Sequence, residues 1–208
     1  VSSGTRSSQP VLAVQGLHKA FAGVKAVQGL SLEVHAGEML ALIGPNGAGK
    51  STSFNCINGQ LKPDSGSVCL GGQDVTGRAP RALWRAGVAR TFQVASIWSS
   101  FTVIGNLQMA LLVRAGQTLR PFGRAIAAQR DAAMALLEAV GLQTLAEEPA
   151  STLAYGDIKR LELAVALANQ PRLLLMDEPT AGMAPAERGA MMALVRDLAR
   201  SRTMGVLF

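Results

Sequence analysis

Two periodicities divide the chain. Leu30, Leu32 and Val34 alternate with Ser31 and Glu33, the two-residue repeat of a strand that buries one face. Val68 and Leu70 repeat it ahead of Gly71-Gly72, a pair suited to a tight hairpin, so the amino-terminal part is predicted to hold half-buried antiparallel strands. From Thr102 the period becomes helical. Thr102 is placed to cap a helix over 103–113, residues 114–123 read as a loop, and Ile126, Met134, Leu137 and Val140 mark a helix over 124–140 that stops at Gly141. Ile158, Leu161, Leu163, Ala164, Leu167 and Ala168 mark another, stopped by Asn169-Gln170-Pro171, and Met191, Leu194, Val195 and Leu198 line one face of a further helix after Pro185. Three apolar runs, at 39–43, 173–176 and 205–208, carry no polar alternation and read as short core strands, the first two buried.

Chemistry begins where the first of these runs ends. Gly44-Pro45-Asn46-Gly47-Ala48-Gly49-Lys50-Ser51, followed by Thr52, is a complete G-x-x-x-x-G-K-[ST] loop between a predicted strand and a predicted helix. Gly44, Gly47 and Gly49 lack a Cβ, so the backbone can turn its N–H groups onto a polyphosphate. Lys50 brings a point charge to the β- and γ-phosphates, Ser51 a hydroxyl for Mg²⁺, and the helix that follows its positive end. This pattern predicts binding of a nucleoside triphosphate.

The second buried run ends in Asp177-Glu178. Asp177, at the carboxyl end of a parallel strand, is expected beside the phosphate loop, where a carboxylate holds the Mg²⁺ shell. Glu178 is one step nearer the γ-phosphate and suited to take the proton of the attacking water.

Between these motifs lies Leu153-Ala154-Tyr155-Gly156-Asp157, opening a helix, and before it Arg90-Thr91-Phe92-Gln93. This order resembles the ABC-transporter ATPases: a Walker A loop, a glutamine loop at Gln93, a signature that opens a helix, then Walker B. The resemblance runs from about Val11 to the last residue. It implies an α/β fold, a P-loop NTPase core with an amino-terminal antiparallel β subdomain and an inserted α-helical subdomain at about 94–155, all within a domain at 11–208. It also implies that Phe21 stacks on adenine and that Gln93 serves Mg²⁺ and catalysis. Ala154, Tyr155 and Gly156 are then expected to reach the ATP of a second ATPase subunit, and the helical subdomain and Gln93 loop to form a groove for integral membrane permease subunits. Asn55-Cys56-Ile57-Asn58-Gly59, Arg90-Thr91-Phe92-Gln93, the signature stretch and Asp177 to Pro185 look most similar to one branch, the ATP-binding subunits of bacterial importers for branched-chain and other hydrophobic amino acids. A non-transport ABC ATPase of DNA maintenance or translation, and a nucleotide-binding module alone, are the alternatives.

Two departures bear on mechanism. Ala154-Tyr155-Gly156-Asp157 stands where most of the family has Ser-Gly-Gly-Gln, so the hydroxyl that reaches the partner's γ-phosphate is missing, and Ala184 stands where the family usually has an aspartate that helps couple the two sites. The resemblance places a histidine shortly after the 205–208 strand; the sequence stops first, which reads as a domain truncated at its carboxyl end.

Composition changes this picture little. With 208 residues, 49% of them hydrophobic and 4% aromatic, the chain can bury a sizeable α/β core. No apolar run approaches the roughly 20 residues of a membrane span; with the resemblance, this places the chain peripherally on the cytoplasmic face of a membrane. Residues 1–10, rich in Ser, Gly and Thr, read as a disordered tail. The net charge of +6 is spread along the chain without a recognised binding module, so no nucleic-acid partner is expected. Cys56 and Cys69 read as reduced, buried thiols, and His18 and His35 as ordinary imidazoles.

Overall fold

The structure, a computed structural model, describes residues 9–91, 97–116 and 127–208. Eight strands are described in chain order: β1 (Leu12–Phe21), β2 (Val24–Val34), β3 (Met39–Leu40), β4 (Ser65–Leu70), β5 (Gln73–Asp74), β6 (Val88–Thr91), β7 (Leu173–Met176) and β8 (Gly205–Leu207). The helices are α1 (Lys50–Ile57), α2 (Pro80–Arg85), α3 (Val103–Arg114), α4 (Arg130–Val140), α5 (Tyr155–Leu167) and α6 (Pro185–Ser201).

The strands sort into two sheets. One is antiparallel in the order β2-β1-β4-β5; the other is parallel in the order β3-β8-β7-β6. In the parallel sheet β8 lies between the phosphate-loop strand and β7, which leads into Asp177. The run of apolar residues in β7 has a direct cause: Leu173 and Leu175 join the core beneath the antiparallel sheet and α1, while Leu174 and Met176 join the core under the helices. Both faces are covered, so no position tolerates a polar side chain.

The helices at 103–140 pack with α5 on the far side of this sheet, around Val103, Leu107, Leu137 and Leu161, each fully buried. Each such leucine or valine contributes on the order of 1.5–3 kcal/mol by leaving water. The Thr102 hydroxyl accepts from Gly105 N–H at 3.1 Å, as its placement predicts, and Gly141 closes α4 at φ 74°. The hairpin between β4 and β5 turns at Gly71 and Gly72, with φ 52° and 79°, the double positive φ that a two-residue turn of this twist demands.

Three expectations need correction. The run at 39–43 is not a buried strand: only Met39–Leu40 pair in register, β3 lies at an edge of the described sheet, and Ile43 is 89% exposed as the chain leaves the ladder for the loop. The helix read over 124–140 is interrupted: Ala127 is helical, a turn follows at 128–129, and α4 runs from Arg130, with 124–126 outside the described residues. Cys56 is buried, but Cys69 is only half-buried, because β4 alternates its faces; both are free thiols. The predicted tail lies outside the described residues up to position 8, and so does most of the loop at 114–123.

Candidate functional site

The phosphate loop leaves the parallel sheet at its carboxyl end. Leu42 N–H donates to Phe208 O and Phe208 N–H to Leu40 O, at 2.6 and 3.0 Å, which extends the β3–β8 pairing up to the loop. Gly47 and Gly49 take φ 84° and 82°. Gly49 admits no other residue: a Cβ there meets the carbonyl oxygen of Ala26 at 1.9 Å. α1 then starts with no side-chain cap and no acidic residue in its first turn. The amides of that turn have no intrahelical acceptor, and the helix dipole adds to their positive potential, so the sequence has built an anion site and left its donors for a ligand. Lys50 curls over the loop, its Nζ donating to Gly44 O at 2.6 Å and Pro45 O at 3.0 Å.

A cleft of about 380 Å³ opens here, lined by Ala26, Asn46, Gly47, Gly49, Lys50, Ser51, Thr52 and Glu178. Far apart in sequence, the loop and the carboxylate predicted to act with it share one wall. Ala48 faces the adjoining concavity instead, with Lys50 and Ser53. Ala26 was not foreseen; the only trace of it in the sequence is the glycine at 49 that its carbonyl requires.

Glu178 sits at φ 52°, a left-handed backbone that costs a residue with a side chain on the order of 1–3 kcal/mol. The turn is closed by Ala181 N–H donating to Glu178 O at 3.0 Å. Asp177, one residue back, is 7% exposed and does not line the phosphate-loop cleft; with Glu178 it lines a crevice shared with Thr91, Lys159 and Glu162. Asp177 Oδ2 accepts from Arg90 Nη2 at 3.2 Å. Burial pulls the Arg90 guanidinium below its ordinary pKa, and the Asp177 charge and hydrogen bond pull it back up. Sequence reasoning did not assign Arg90 any role. Phe21 is 44% exposed at the β1–β2 hairpin, with Lys19 Nζ 5.6 Å from its ring centroid; it pairs with Val24, two residues before Ala26, but does not itself line the cleft. Gln93 lies outside the described residues.

The family model for ABC transporters matches residues 27–181. A high-affinity branched-chain amino acid transport ATP-binding protein, LivG of Escherichia coli K12, is 40% identical over 96% of this chain and 81% of its own length. The chain belongs to the ABC transporter family. The corresponding Pseudomonas aeruginosa protein, BraF, is 38% identical over the same shares. Among solved structures, the ADP conformation of an ATP-binding cassette from an ABC transporter superposes with a TM-score of 0.83 at 30% identity, covering 96% of this chain and 80% of the other. The chain is thus an ABC transporter ATPase domain that binds nucleotide and hydrolyses ATP, and the antiparallel sheet, parallel sheet and helical subdomain are those of the ABC ATPase fold. Among the described residues no helix is long and apolar enough to cross a membrane.

In this ABC ATPase the signature residues stand apart from the chain's own phosphate-loop cleft. Ala154 is the N-cap of α5, at φ −64° and ψ 155°, and has no side chain with which to cap it. Tyr155, 47% exposed, donates its hydroxyl proton to Ala181 O at 3.0 Å, tying the start of α5 to the loop after Glu178. Gly156 faces Glu187: a Cβ there lies 3.3 Å from Glu187 Oε1. Ala184, at the N-cap of α6, is also without a capping side chain, and Glu187 Oε2 instead accepts its N–H at 3.3 Å. Replacing Ala154 by Ser restores an N-cap oxygen in suitable geometry, which is expected to raise stability by about 1 kcal/mol. If the signature reaches a second subunit's ATP, the same hydroxyl also tightens the ATP-bound dimer. Thermal unfolding and light scattering with ATP read the two effects separately; a stabilised chain with unchanged dimerisation means that Tyr155 and Asp157 have reshaped that contact.

Proposed function

We propose that the chain is the ATP-hydrolysing subunit of an importer for branched-chain or other hydrophobic amino acids. The observation that carries this reading is the 38–40% identity to LivG and BraF over nearly the whole chain, together with a cleft whose wall joins the phosphate loop to Glu178. In this reading two ATPase subunits close on two ATP molecules, each held between one subunit's phosphate loop and the other's Ala154, Tyr155 and Gly156, and the closure drives permease subunits at the cytoplasmic face of the membrane.

We assign the roles that the family resemblance implies. The Gly47 to Thr52 backbone and Lys50 bind the phosphates, Asn46 and Gly44 shape the turn, and Phe21 stacks on the adenine. Ser51 and Asp177, a hydroxyl and a carboxylate, are hard oxygen donors that, with the Gln93 side chain, would hold a Mg²⁺ ion. The ion held there would neutralise the charge that develops on the transferred phosphoryl group. Glu178, on the cleft wall, orients the attacking water and takes its proton.

Uptake of labelled leucine, isoleucine and valine is the test. Cells lacking the gene are expected to lose uptake and regain it with the intact chain but not with the Lys50→Ala variant. Undiminished uptake of all three by the deletion strain overturns the amino-acid assignment.

A further inference from the structure

Three segments of the candidate site meet on one guanidinium. Arg90 lies in β6, just before the strand ends at Thr91. Its Nη1 donates to Asn55 Oδ1 at 2.6 Å and to Gln60 Oε1 at 2.9 Å, while Nη2 donates to Asp177 Oδ2 at 3.2 Å. Asn55 belongs to α1, the helix that opens from the phosphate loop; Gln60 follows that helix; Asp177 follows β7. The guanidinium carbon also lies 6.0 Å from the centroid of the buried Phe54 ring. The Arg90 and Asp177 side chains are 9% and 7% exposed, so the pair is held mostly out of water, where attraction is stronger and a misaligned charge is costly. A planar fork holds two nitrogens at a fixed spacing toward the three partners; a lysine offers its three donors from one nitrogen on a flexible stem and lacks that spacing.

We infer that Arg90 is the positioning residue for the Asp177 carboxylate. By bonding Oδ2 it sets the rotation of the Asp177 carboxylate and leaves Oδ1, which accepts no hydrogen bond from the described residues, available to a Mg²⁺ ion. By holding Asn55 with the same fork it fixes α1, and with it Ser51, relative to the end of β7. Of the oxygen donors assigned to Mg²⁺, Ser51 and Asp177 come from different elements, and Arg90 bonds to Asn55 on the element of the first and to the second directly. This inference rests on the reading of Ser51 and Asp177 as the Mg²⁺ donors.

The test separates nucleotide from metal. Binding of a non-hydrolysable ATP analogue by the full chain is measured by calorimetry without divalent ion and then across a Mg²⁺ titration, with the Mn²⁺ EPR signal of the ternary complex as a second readout. Removing an outer partner of a metal ligand commonly weakens metal affinity by about 10–100-fold. Arg90→Lys is therefore expected to raise the half-saturating Mg²⁺ concentration about tenfold and broaden the Mn²⁺ spectrum, with Mg²⁺-free analogue binding changed less than about twofold. Because a buried arginine can matter for folding, Asn55→Ala combined with Gln60→Ala supplies a second variant that keeps the Arg90–Asp177 pair; it is expected to give a smaller rise in the same direction. If Arg90→Lys does not fold, the second variant decides. An unchanged Mg²⁺ midpoint in the folded variants, or equal loss of Mg²⁺-free and Mg²⁺-dependent binding, overturns the positioning role. A wild-type chain whose analogue binding ignores Mg²⁺ overturns the metal reading itself, a result distinct from the other two.

Discussion

Lys50→Ala is expected to weaken ATP binding roughly a hundredfold while leaving the fold in place. Hydrogen bonds to charged groups contribute about 1.5–3 kcal/mol each, and the upper end of that range, about 3 kcal/mol, corresponds to somewhat more than a hundredfold in affinity. The upper end applies because the phosphates carry several charges and the Lys50 ammonium is the cation among the described residues that line the cleft. Without nucleotide, Lys50 Nζ bonds to Gly44 O and Pro45 O, so it is already poised over the loop and needs only to exchange carbonyl partners for phosphate oxygens. That exchange is favourable because a neutral acceptor gives way to a charged one. The loop loses two hydrogen bonds in the variant, but Gly44 and Pro45 are not deeply buried, and their carbonyls are rehydrated at little cost. Calorimetry with ATP gives the affinity and thermal unfolding the fold. Unchanged affinity in a folded variant would remove the phosphate loop from the nucleotide site.

What the sequence made legible follows from where its physics is local. The phosphate loop is contiguous, its glycines answer to backbone dihedrals, and Gly49 is held against a specific carbonyl, so string and geometry agree. The β7 strand was legible because a strand covered on both faces has no polar position. The Thr102 and Gly141 helix ends were legible because caps are made within a few residues. The run at 39–43 misled because apolarity reports the tendency to be covered, not the place in the sheet, and β3 lies at an edge of the described sheet. Ala26 and Arg90 were illegible for a different reason. Each acts through partners brought from other elements, a carbonyl against Gly49 in one case and a fork to Asn55 and Asp177 in the other, and neither pairing leaves a periodic trace. Tyr155 stood out in the sequence as a departure from the signature, but its bond to the Ala181 carbonyl needed the fold.

Glu178→Gln is expected to leave ATP binding nearly unchanged and to lower turnover by about 10²–10⁴-fold, the range that a positioned general base supplies. The amide keeps the shape of the side chain on the cleft wall, so nucleotide contacts made by Lys50 and the loop amides persist, but it cannot take up the proton of the attacking water at neutral pH. The backbone sharpens the test. Glu178 holds φ 52°, and such strain at a residue with a side chain persists only where the surroundings enforce it. Replacement by glycine removes the strain along with the carboxylate, so Glu178→Gly is expected to stabilise the fold by about 1 kcal/mol while turnover falls as far as in the glutamine variant. Stability and activity then move in opposite directions, a pattern that partial unfolding cannot produce. Thermal unfolding, nucleotide affinity and steady-state phosphate release on the three chains provide the measurements. Turnover near wild type in the glutamine variant shifts the proton acceptor to another group, with Asp177 the neighbouring carboxylate to examine; a loss of stability in the glycine variant means that the left-handed turn is held by the glutamate side chain instead of resisted by it.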